Sequence, residues 1–93
     1  MSVADREYGW SDVGRSSAAA HRVSEREVVD AVYSPQRIEH QIGTLLLAVA
    51  GLADSSRVIV VLCERVGKVN SYAILAARPA NPEETKQWME GTR

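Results

Sequence analysis

Apolar and polar positions alternate along this chain with two different periods. Val28, Val29, Ala31, Val32 and Tyr33 recur at helical offsets and form one stripe. Ser24 and Glu27 precede them at the spacing at which two side chains cap a helix start reciprocally, and Pro35 bars continuation. A helix over about 24–33 is predicted. From residue 44 the pattern becomes β-like. Thr44 to Ala50 runs into Gly51, and Asp54-Ser55-Ser56 supplies turn residues. Arg57 to Arg65 is nearly all β-branched and reads as a central strand covered on both faces. A turn at Gly67-Lys68 leads to a third strand from Asn70 or Ser71 to Arg78. Connections this short join antiparallel neighbours, so the three strands form a meander, with Gln36 to Gln41 as a candidate edge strand.

The flanks are weaker. Tyr8-Gly9-Trp10 reads as a short extended piece, followed by Ser11 or Asp12 as a cap. Residues 13–22 are favoured as a helix by their alanines and disfavoured by Gly14 and two serines. With little apolar surface, that helix is expected to be loosely held. Asn81-Pro82-Glu83-Glu84 joins an N-cap residue, proline at the first helical position and acids at the positive dipole end. It predicts a short C-terminal helix over about 82–90, docked by Trp88 or Met89. The fold class is therefore α+β: a small antiparallel meander of three to four strands against one or two N-terminal helices, with a short C-terminal helix.

Composition narrows this little. The 93 residues suit one domain, 1–93, with one modest core. Without Phe, that core is built from Val, Leu, Ile and Ala with a few Trp and Tyr. The one cysteine, Cys63, lies inside a strand run and is expected to be a buried small hydrophobe. The polar start and the shortness of the longest apolar run, Leu45 to Ala50, give no leader and no membrane span, so a cytoplasmic location is expected. His21 and His40 lie too far apart for a helical zinc motif, and neither metal nor cofactor is expected.

Net charge is −1, but residues 36–78 hold Arg37, Arg57, Arg65, Lys68 and Arg78 against three acids. Strand alternation puts Arg57, Ile59, Val61, Cys63 and Arg65 on one face, and Tyr72, Ile74, Ala76 and Arg78 on one face of the next strand. Antiparallel pairing then brings Arg57 near Arg78 at one end, and Arg65 near Tyr72 at the other. Two guanidiniums at one end suit a phosphate. The same spacing suits a plainer reading, in which each arginine caps a strand and pairs with an acid such as Asp54 or Glu83.

The order of these motifs resembles the BrnT family of bacterial type II toxins, small ribonucleases with a RelE-like fold. The resemblance runs through Tyr8-Gly9-Trp10-Ser11, His21-Arg22-Val23-Ser24, the helix Glu27 to Tyr33, Gly51, Arg57 with its strand, and Ala73 to Ala80, covering about residues 8–85. It implies a ribosome-independent endoribonuclease that inhibits translation and growth. Its partners would be RNA and a cognate antitoxin with a ribbon-helix-helix DNA-binding domain, in a homodimer or a toxin-antitoxin hetero-oligomer. Arg57, Arg78 and His21 match the family's catalytic positions. Arg65, Lys68 and Tyr72 would hold substrate. The sequence departs from the pattern in four places: Arg22 replaces a glycine, Ala73 an arginine, Ala76 a serine, and Ser16-Ser17-Ala18-Ala19-Ala20 a lysine- and asparagine-rich helix. The alternative is a catalytically weakened or inactive binding module on the same scaffold, acting through protein partners.

Overall fold

A computed structural model of the chain describes residues 6–52, 57–67 and 70–91. Its elements are β1 (Glu7–Trp10), α1 (Asp12–Ala20), α2 (Glu25–Val32), β2 (Ile38–Ile42), β3 (Leu45–Gly51), β4 (Val58–Arg65), β5 (Ser71–Pro79) and α3 (Pro82–Gly91). The expected meander is present as β2-β3-β4-β5, with every neighbour antiparallel. The sheet has a fifth strand that the pattern did not announce as one. β1 joins the outer edge of β5 in parallel, giving the order β1-β5-β4-β3-β2. The sheet is therefore mixed.

Helices α1 and α2 cover one face. Val28, Ala31 and Val32 of α2 meet Leu46, Ala50, Ile59, Val61, Cys63, Tyr72 and Ile74 in one continuous core. The capping box holds: Ser24 Oγ accepts from Glu27 N–H at 3.1 Å, and Glu27 Oε1 accepts from Ser24 N–H at 3.0 Å. α3 lies on the other face. Its Trp88 packs where a side chain on Gly51 would sit, and lines a crevice with Leu47 and Val49. Asn81 and Glu84 form a second capping box, with Glu84 N–H to Asn81 Oδ1 at 2.8 Å and Asn81 N–H to Glu84 Oε1 at 2.9 Å. No helix among the described residues is long and apolar enough to cross a membrane.

Two expectations need correction. α1 is not loosely held. Its small residues let it lie almost on β5: Gly14 and Ala18 are buried, and Ser17 Oγ accepts from Ala77 N–H at 3.3 Å. Ser11 Oγ accepts from Gly14 N–H at 2.9 Å and donates to the Ile74 carbonyl at 2.6 Å. Close approach replaces the missing apolar area. The strand faces also differ. Cys63 pairs with Ile74 but Leu62 pairs with Ala76, so Leu75 is an extra residue on β5. Such a bulge inverts the alternation beyond it. Tyr72, Ile74 and Ala77 face the core, while Ala76 and Arg78 face away from it.

Candidate functional site

The bulge separates the two arginines that strand spacing placed together. Both lie at the same end of the sheet, but on opposite faces. Arg57 precedes β4 and turns towards α2. Its Nη1 donates to the Arg22 carbonyl at 3.0 Å and to both Glu27 carboxylate oxygens at 3.3 Å. Its Nε and Nη2 hold no hydrogen bond among the described residues. An arginine has five N–H donors, so one edge of this fork remains presented.

Arg78 turns the other way, to α3. Nη1 and Nη2 donate to Glu84 Oε1 and Oε2 at 2.7 and 2.8 Å, and Nη1 also reaches the Pro79 carbonyl. The guanidinium is thus committed end-on, binding α3 to the sheet. The partner is Glu84 rather than Glu83, because Glu84 is the N3 residue of the capping box and already points back at the helix start.

His21 is the exposed C-terminal cap of α1, and Arg57 grips the carbonyl of the residue after it. Nδ1 lies 2.9 Å from the Ser17 carbonyl. A carbonyl only accepts, so Nδ1 is the donor in this contact. Arg22 follows with φ of 56° and Val23 N–H returns to the Ala18 carbonyl, the left-handed helix ending that glycine favours. His21, Arg22, Glu27 and Arg57 therefore form one polar corner. Glu27 was read from sequence only as a cap; its tie to Arg57, thirty residues away, has no local signal.

Arg65 and Tyr72 pair in register at the far end of the sheet. Arg65 is exposed, without an ion-pair partner among the described residues. Tyr72 is buried to 7 % exposure, stacked on Tyr8 at 5.4 Å and capped by Arg6 at 5.5 Å. Its ring is a core piece. Lys68 lies outside the described residues. Cys63 is buried, as expected. Burial pushes its thiol up to about 12, Glu39 adds to the rise, and Arg6 opposes it, so the group is inert. His40 lines the small crevice beside Trp88 and Glu84.

The Arg78 tie makes α3 sensitive to acid. The Glu84 carboxyl is held below the usual carboxylate range, first by the Arg78 fork, against burial, and with help from Asn81 N–H. A carboxyl depressed in the folded state adds stability above its unfolded pKa of about 4.3, and loses it as pH falls through the lower folded value. Urea midpoints should hardly change between pH 7 and 5 and should fall below about pH 4. Arg78→Ala should show a shallower acid decline than the parent. An equal slope in both would sink the assignment.

The Arg57 corner opens onto a groove at the end of the sheet, about 390 Å³ in volume, whose apolar wall is Leu52, Val58, Trp88 and Met89. Scanned against known families and curated proteins, the chain matches no family model and no curated protein.

Proposed function

We propose that this chain is a BrnT-like toxin that cleaves RNA, with its phosphate site at the corner of His21, Arg22 and Arg57. The observation that carries the proposal is the open Nε–Nη2 edge of Arg57, fixed in direction by Arg22 and Glu27. A preorganised guanidinium aimed at a phosphate stabilises the charge that develops during strand cleavage. The Nε2 of His21, next in the chain to the Arg22 carbonyl that Arg57 grips, would take the proton of a ribose 2′-hydroxyl. Arg22 adds indirect support. It adopts the left-handed conformation at the position where the resembled pattern carries glycine.

In this reading Arg57 and His21 are the catalytic groups and Arg78 is a positioning residue that holds α3. Substrate contacts by Arg65 are left to the far end of the sheet. The partner is an antitoxin that covers the corner. Induced expression is expected to arrest growth, and Arg57→Ala should cut RNA cleavage by roughly a hundredfold or more. Arg78→Ala should lose activity only in step with lost stability. Equal arrest by the parent and by Arg57→Ala would end this assignment.

A second reading is favoured by different observations. Both sheet arginines contact a carboxylate, and Ala73 lies between Glu64 and Gly9 in register, with no cation of its own. That is the pattern of a binding module without cleavage. A parent chain that neither arrests growth nor cuts RNA, yet is captured by a neighbouring antitoxin-like protein, selects it.

A further inference from the structure

Beside Arg57 the molecule presents a surface that neither helix capping nor core packing requires. The groove of about 390 Å³ is bounded by Gln36, Leu52, Arg57, Val58, Trp88 and Met89. Its size lies in the ~300–1,000 Å³ range of small-ligand sites. The walls differ in kind: one carries the Arg57 side chain, and the other carries an indole and a thioether.

The indole is fixed before any ligand arrives. Trp88 Nε1 donates to the Gln36 carbonyl at 3.0 Å. Its ring edge occupies the space above Gly51, where a Cβ would come within 2.4 Å of it. Glycine at this strand end thus leaves room for the ring against the sheet, and Trp88 stays partly exposed. Met89 follows, 56 % exposed, at the rim. An aromatic ring fixed at its Nε1 and packed over Gly51, in one groove with the Arg57 side chain, combines the two elements that bind a nucleotide: a stacking platform and a phosphate anchor.

We propose that this groove seats one unstacked base of single-stranded RNA against Trp88, with the adjoining phosphate on the Nε–Nη2 edge of Arg57. The proposal rests on the reading of the chain as acting on RNA, and adds where the strand is held and by which residue. Charge decides against an apolar peptide as occupant. A wholly apolar segment would cover the Arg57 edge without pairing it, which is costly for a guanidinium. A nucleotide satisfies both walls.

The test uses the full chain and a fluorescein-labelled oligouridylate hexamer with 2′-O-methyl riboses, which cannot be cut through the 2′-hydroxyl, with binding followed by anisotropy. In a Trp10→Phe background the intrinsic fluorescence reports Trp88 alone. RNA should quench Trp88, and Trp88→Leu should weaken binding by roughly tenfold or more. Arg57→Ala should weaken it comparably and flatten its salt dependence. Met89→Glu, at an exposed position, should also weaken binding, and it keeps the test intact if Trp88→Leu does not fold. Parent-like affinity in Trp88→Leu and Met89→Glu, without quenching, would overturn the seat and leave the RNA reading standing. No hexamer binding by the parent chain would overturn both.

Discussion

Gly14→Ala is expected to destabilise the protein by about 3 kcal/mol, lowering the melting temperature by roughly 10–20 °C. The added Cβ would stand 2.0 Å from the Ile74 carbonyl oxygen and 2.8 Å from its carbon. Both are backbone atoms of a central strand, so neither can swing aside as a side chain would. Relief requires α1 to lift from β5, which breaks the Ser11 contacts to Ile74 and the Ser17 contact to Ala77. Helix propensity acts in the opposite direction: alanine in place of a helical glycine stabilises by up to ~1 kcal/mol. The sign of the effect therefore discriminates. Ser16→Ala, exposed on the same helix, serves as the control and should leave stability level or slightly raised. Thermal melts of both variants check the prediction, and a stabilised Gly14→Ala would mean that α1 does not press on the sheet.

The same glycine shows what was legible in the sequence. α2 and α3 were readable because their signals are local: Ser24 with Glu27, and Asn81 with Pro82 and Glu84, specify their own helix starts. Strands β3, β4 and β5 were readable from apolar runs broken by turn residues. α1 was misjudged because apolar area is a poor measure of a helix that packs by closeness. Gly14, Ser17 and Ala18 look like weakness in a periodicity count and are in fact the contact surface. β1 is four residues long, and its parallel partner lies more than sixty residues away, so no local pattern could pair them.

The candidate site was harder still. Period-two reasoning put Arg78 on the same face as Tyr72 and Ile74, and one extra residue, Leu75, reversed it. A bulge carries no composition signal when the residue inserted is an ordinary strand former. Arg57 is tied to the segment that follows His21, through the Arg22 carbonyl and the Glu27 carboxylate rather than through strand register. Backbone acceptors are invisible to a search for charged residues. The groove at Trp88 was equally hidden, since the sequence marked Trp88 only as an anchor for α3.

Glu39→Ala is expected to cost about 2–3 kcal/mol, the second large effect. Glu39 rises from β2 at one edge of the sheet, while Arg6 precedes β1 at the other. They meet over the helix-covered face, where Arg6 reaches both carboxylate oxygens and Arg37 Nε donates to Oε2 at 2.6 Å. The three side chains are only 16–22 % exposed, which distinguishes this cluster from surface pairs worth under ~1 kcal/mol. Burial alone would raise the Glu39 carboxyl, but the hydrogen bonds from Arg6 and then Arg37 outweigh it and hold the group below the usual range. Removing the carboxylate leaves two guanidiniums mostly out of water with no other ion-pair partner among the described residues, one of them above the Tyr72 ring. The Tyr33 hydroxyl, which donates to the Arg6 carbonyl at 2.8 Å, and the stacked Tyr8 and Tyr72 rings lie at the same junction, so loosening should spread to β1. Urea unfolding of Glu39→Ala, Arg6→Ala and the double variant measures the coupling. It should exceed about 1 kcal/mol, with Arg6→Ala alone costing less, because Arg37 still pairs with the carboxylate. A coupling below about 0.3 kcal/mol would mean that the two sheet edges are held by packing alone.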